Sequence, residues 1–182
     1  MNRFNKCNHF PFPCAFPVEQ QGPTGAGATG ATGTTGPDLG FAFIFDTTDQ
    51  TVLANGDVTF SDDGSNNTPG FVAHTPGTTP ASAPITINET GTYLITFKVF
   101  HQSGTAAFGL FNTGTSMIIP GSSYGDTSGG ETLSGQIITA LNAGDILTLR
   151  NIDGDTSLQN RVPPGASGAH VDSASIVIIR LA

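Results

Sequence analysis

The chain has 182 residues, enough for one domain with a core and short appendages. Its 6 Lys+Arg against 14 Asp+Glu give a net charge of −8. That argues against a nucleic-acid binder, which needs a basic surface to displace counterions, and against a polybasic membrane anchor. No stretch approaches 18 consecutive apolar residues, so nothing reads as a membrane-spanning helix. With 24 Gly and 12 Pro, the composition is that of turn-rich β structure.

Residues 1–21 form the first segment. Arg3 and Lys6 imitate the basic start of a secretory signal, but Asn8, His9 and the prolines break any apolar region after them. The run Phe10-Pro11-Phe12-Pro13-Cys14-Ala15-Phe16-Pro17 excludes helix and favours an extended path. Too short for its own core, the segment reads as a docking arm, with Phe10, Phe12 and Phe16 as anchors. Both cysteines of the chain, Cys7 and Cys14, lie here. Inter-chain cross-links, a Cys7–Cys14 loop and free thiols are all compatible with that position.

Residues 22–38 are a stalk. Gly recurs at 22, 25, 27, 30, 33 and 36. Period three is the collagen signature, because only Gly fits the crowded axis of three polyproline-II chains. The phase slips once, at Gly25-Ala26-Gly27, and then holds from Gly27 through Gly30, Gly33 and Gly36. A flexible linker has no need of such phase. So short a run cannot trimerise unaided, which predicts that its neighbour does. At ~3 Å rise per residue the stalk would span roughly 50 Å.

Residues 39–182 form the head. At 41–46 Phe41, Phe43 and Phe45 share one face, with Ala42 and Ile44 on the other. At 92–100 Tyr93, Ile95, Phe97 and Val99 share a face opposite Leu94, Thr96, Lys98 and Phe100. Further strands are expected at 57–60, 84–87, 105–111, 131–141, 145–151 and 173–181. Polar Gly/Asn/Asp/Pro turns lie between them, and no segment keeps a helical period. This pattern predicts an all-β sandwich. Ile176-Val177-Ile178-Ile179 is apolar on both faces, as is the Phe43-Ile44-Phe45 strand. Burial by the second sheet on one side and another subunit on the other is expected. The candidate core of sheet and trimer is Phe43, Phe45, Tyr93, Phe97, Val177 and Ile179.

These features resemble the tumour-necrosis-factor and complement-type trimeric jelly rolls. The likeness rests on FAFIF at 41–45, on Asn88-Glu89-Thr90-Gly91-Thr92-Tyr93-Leu94-Ile95-Thr96-Phe97 and on Leu141-Asn142-Ala143-Gly144-Asp145-Ile146-Leu147-Thr148-Leu149. With the stalk and arm, the chain is most similar to collagen-like filament proteins on the spores of bacilli. That resemblance implies a homotrimeric jelly-roll head, a spore-surface location reached without a signal peptide, and an anchor protein there as partner. It also implies O-linked sugars on the stalk threonines Thr24, Thr29, Thr32 and Thr35.

Chemistry is sparse. His9, His74, His101 and His170 show no metal-ligand spacing, and no nucleophile elbow occurs, so neither enzyme nor cofactor is expected. Asn151-Ile152-Asp153-Gly154-Asp155 has calcium-like alternation but lacks the terminal Glu of an EF-hand; a polar turn is the other reading. Asn66-Asn67-Thr68 and Asn88-Glu89-Thr90 match the glycosylation pattern, which is expected to be idle in a bacterial protein.

Two functions fit. One is a fibre subunit whose trimers join head to tail by arm docking. Residues 1–37 carry net +1 and residues 38–182 net −9, a polarity that favours such contact. The other is a tip adhesin with a ligand-binding head. Its loops at 62–70, 75–84, 121–130 and 161–170 offer only Tyr124 and Arg161 as recognition side chains.

Overall fold

Alternation carried along short strands builds the head, in a computed structural model that describes residues 39–161 and 171–182. The strands are β1 (Phe41–Asp46), β2 (Gln50–Val52), β3 (Asp62–Asp63), β4 (Val72–Ala73), β5 (Ile85–Ile87), β6 (Gly91–His101) and β7 (Ala106–Asn112). There follow β8 (Met117–Ile118), β9 (Tyr124–Asp126), β10 (Glu131–Leu141), β11 (Ile146–Asn151), β12 (Thr156–Leu158) and β13 (Ala174–Arg180). A 3-10 turn at Pro80–Ser82 is the one helical element among the described residues.

They pair into a seven-stranded and a six-stranded sheet. In the larger sheet β6 is the spine. All of β10 lies antiparallel along one side of it, and β13 with β12 beyond it lies along the other. β1 pairs β13 and β3, and β2 pairs β12. In the smaller sheet β11 sits between β5 and β7, β4 extends beyond β5, and β8 and β9 share the far side of β7. The head is an all-β jelly-roll sandwich.

The inward-facing set is Ala42, Ile44, Tyr93, Ile95, Phe97, Val99, Ile176 and Ile178 from the larger sheet, against Ile85, Ile87, Phe108, Leu110, Leu147 and Leu149 from the smaller. Phe71 and Tyr93 pack with their rings tilted and their centroids 5.8 Å apart. The Tyr93 hydroxyl donates to the Glu89 carbonyl, which satisfies its polar end inside the core.

Residues 57–60 are not a continuous strand. Val58 N–H donates to Leu149 O and Phe60 N–H to Ser82 O, so both side chains are buried. Between them the Gln50 side chain takes both peptide groups of Thr59, accepting at Oε1 from its N–H and donating from Nε2 to its C=O. A side chain takes the place that a neighbouring strand would have beside a strand at 57–60. The short β2, β3, β4, β8, β9 and β12 also went unforeseen, because two or three residues carry no periodicity.

The strands define two poles. The chain comes in at the near pole, where Arg180 N–H donates to Gly40 O and Leu181 N–H to Thr92 O. A Cβ on Gly40 would lie 2.2 Å from the Phe71 ring, so the chain can cross that ring only as glycine. The far pole holds the ends of β1 and β6, the start of β10, and the β11–β12 loop.

Gly135 of β10 is a second position that excludes a side chain. A Cβ there would meet the Phe97 ring at 2.3 Å and the Tyr124 ring at 2.5 Å. Those rings form an edge-to-face pair at 6.0 Å, and the Tyr124 hydroxyl donates to Gln136 O at 2.6 Å. Gly135→Val should destabilise the head by about 1–3 kcal/mol through overpacking. Thermal unfolding of the variant checks this.

Candidate functional site

The outer face of the larger sheet is where alternation leaves apolar side chains in solvent. Antiparallel register sorts it into rows across β1, β13, β6 and β10. Nearest the inlet of the chain the row is Phe41, Ile179, Leu94 and Ile138. The next is Phe43, Val177, Thr96 and Gln136, with Gln136 Nε2 donating to Thr96 Oγ1 at 3.0 Å. The third is Phe45, Ser175, Lys98 and Ser134. The face thus grades from apolar at the near pole to polar at the far one. Phe41 is 44% exposed, Phe43 36% and Ile138 63%, and Leu39 and Leu181 extend the apolar end. Phe43 and Phe45 stack with centroids 5.1 Å apart, so the aromatic ridge is ordered on its own strand. An exposed apolar patch of this kind is a candidate interaction surface.

At the polar end lies a depression of about 360 Å³, whose lining includes Phe43, Lys98, Phe100, Asp172 and Val177. Desolvation by burial holds the Asp172 carboxyl above the usual carboxylate range, with Asp46 and Asp62 adding repulsion. A carboxyl raised on folding favours the folded state when protonated. Its stabilising contribution is therefore full below the ordinary value of 3.8 and is lost as pH rises through the higher folded value. Asp172→Asn should accordingly gain stability over wild type above that window and match it below. Denaturant unfolding across acidic to neutral pH gives the check.

The sequence-derived core set divides between the two sides of this sheet. Tyr93 and Phe97 are fully buried inside the sandwich, whereas Phe43, Phe45, Val177 and Ile179 stand on the outer face. The aromatic alternation of β1 therefore points outward and the smaller Ala42 and Ile44 point in. The anchors Phe10, Phe12 and Phe16, the cysteines Cys7 and Cys14, and the stalk glycines Gly22, Gly25, Gly27, Gly30, Gly33 and Gly36 lie outside the described residues.

Other candidates resolve into scaffold. The 151–155 loop is held by Asn151, whose Nδ2 donates to the carbonyls of Val52, Leu53 and Gly154, while Asp155 Oδ1 accepts from Ala54 N–H at 2.8 Å. Among the described residues no three His, Cys, Asp or Glu side chains come together as a metal site would require. Asn67 works as a surrogate strand residue, accepting from Phe43 N–H and donating to Phe43 O. Asn88 Nδ2 donates to Gly70 O.

His74 is turned inward, with its ring nitrogens 2.7 Å from Asp63 Oδ1 and 3.0 Å from Ser82 O. His101 is wholly buried and bridges the sheets, its Nε2 3.0 Å from Asp126 Oδ2 of β9. Its Nδ1 has no hydrogen-bond partner among the described residues. Sequence gave no sign of this pair, because 25 residues separate its members. Arg150 makes a bidentate pair with Asp57, at 2.8 and 3.1 Å, and lies 3.4 Å over the Phe111 ring.

No family model and no curated protein matches this chain. Its fold is similar to solved structures at low identity. Eiger TNF from S. frugiperda aligns with a TM-score of 0.56 and 14% identity, over 79% of this chain and 93% of that one. The globular domain of zebrafish complement 1qA protein aligns at 0.51 and 16%, over 78% and 95%. Murine APRIL aligns at 0.57 and 12%, over 79% and 100%.

Proposed function

We propose that this protein is a structural subunit of a bacterial spore-surface fibre, not an enzyme. Its heads trimerise through the outer face of β1, β13, β6 and β10, and its arms join one trimer head to tail with the next. The observation that carries the reading is the apolar near-pole row, Phe41, Ile179, Leu94 and Ile138, placed at the end where the chain comes in. The triplet glycines that precede this end need three chains side by side. A surface that buries apolar residues between copies supplies them, so the stalk and the sheet face each account for the other.

The likeness to TNF and complement 1qA folds supports the architecture of such a head. The spore surface, the anchor protein there and the collagen-like winding rest on the sequence resemblance and on the glycine period. The polarity of +1 at the arm end and −9 over the rest favours head-to-tail contact. A heterologous contact that does not close on itself makes a filament. Electron microscopy of the purified full chain should show filaments with a regular axial repeat. Discrete lollipop-shaped trimers at every concentration would contradict the fibre and favour the tip adhesin.

A further inference from the structure

We infer that the N-terminal arm of a second trimer docks along β2, in the groove between that strand and the segment at 78–83. The inference rests on the fibre reading and assigns its junction. The groove has a volume of about 540 Å³, in the range of ligand-sized pockets. Val52, Leu53, Pro80 and Ala83 give it an apolar wall, and Leu53 is 60% exposed.

Its open edge suits an extended peptide. Ser157 gives its carbonyl to Gln102 N–H, so its register partner on β2, Thr51, forms a non-bonded pair with it. The peptide groups of Thr51 therefore face away from β12, toward the groove. Strand addition uses such an edge for main-chain bonds and its side pockets for alternate side chains. The arm fits these demands. Phe10 and Phe12 are two apart and would project to one side of an extended chain. Pro11 and Pro13 take the alternate positions, where a missing N–H costs no bond to the edge.

Charge selects the same surface. Asp49 lines the groove, and Asp153 and Asp155 lie on the loop that Asn151 ties to Leu53. All three are exposed, and none is in an ion pair among the described residues. The nearby cation Arg150 is already held by Asp57. Arg3 and Lys6 of the arm carry the complementary sign. Position agrees as well. β2 and the 153–155 loop are at the far pole, away from the inlet of the chain. A triple helix over 22–38 would hold an arm about 50 Å from its own head, and so direct it to another trimer.

The test uses the full chain and two substitutions at exposed Leu53. Leu53→Asp should keep the circular dichroism and native trimer mass of wild type while filament mass falls at least tenfold. Leu53→Cys filaments, oxidised, should give a disulfide-linked species on non-reducing gels that oxidised wild-type filaments lack and that disappears when Cys7 and Cys14 are both serine. Filaments of normal yield from Leu53→Asp, or no such arm-dependent species from Leu53→Cys filaments, would overturn the groove and leave the fibre standing. Absence of filaments from wild type would remove the fibre reading, and the docking site with it.

Discussion

Phe43→Glu should give a head that folds and stays monomeric. Phe43 stands on the outer face of β1, stacked on Phe45 and in register with Val177. It makes no part of the inner core, so folding does not depend on its ring. In a trimer each copy would bury the exposed third of this ring, worth roughly 0.5–1 kcal/mol. Three copies lose about 1.5–3 kcal/mol per assembly by the same figure, which is about tenfold to a hundredfold in the association constant. The glutamate adds a desolvation cost of its own when its carboxylate is brought out of water into the interface. Sedimentation of wild type and variant at equal concentration reads the difference, with unfolding curves as the control for the fold. A variant that remains trimeric would show that some other face holds the copies together.

Asp46→Ala should have the largest effect on the fold itself. Asp46 is fully buried at the end of β1. Its Oδ1 accepts from Thr48 N–H and the Thr48 hydroxyl, at 3.2 and 2.8 Å. Its Oδ2 accepts from Gln50 Nε2 and, at 2.7 Å, from the Ser173 hydroxyl. One carboxylate thus fastens the turn into β2 to the segment before β13. Removing it leaves the buried Ser173 hydroxyl and the partly buried Thr48 and Gln50 donors without their acceptor, at a cost of about 1–3 kcal/mol for each group left unsatisfied. Asp46→Asn keeps the volume but sets an NH₂ against one of these donor groups, so it should also destabilise, by less. Denaturant midpoints order the series: wild type, then asparagine, then alanine.

These two positions show what the sequence could and could not disclose. The all-β class, and the long strands β1, β6, β7, β10, β11 and β13, were legible because six or more residues of alternation average out local exceptions. The two-faced hydrophobicity of 43–45 and 176–179 likewise announced apolar side chains on both sides of that sheet. Which face of β1 turned inward was not legible, since aromatics two apart can line a core or an interface equally well. Only the pairing of Ile44 and Ile176, both buried, settles it. The Asp46 network was hidden because its members lie 127 residues apart, and the His101–Asp126 bridge for the same reason. Gln50 standing in for a strand beside Thr59 has no sequence signature either. The groove at β2 arises where a three-residue strand meets a 3-10 turn, two elements too short to carry a period.

We propose that the outer face of β1, β13, β6 and β10 is buried between three copies of this chain. Native mass spectrometry of the full chain, recorded under conditions that hold filaments apart, measures it most directly. Trimers as the smallest folded species are expected; a stable, folded monomer as the only species at micromolar concentration would rule out burial of this face between copies.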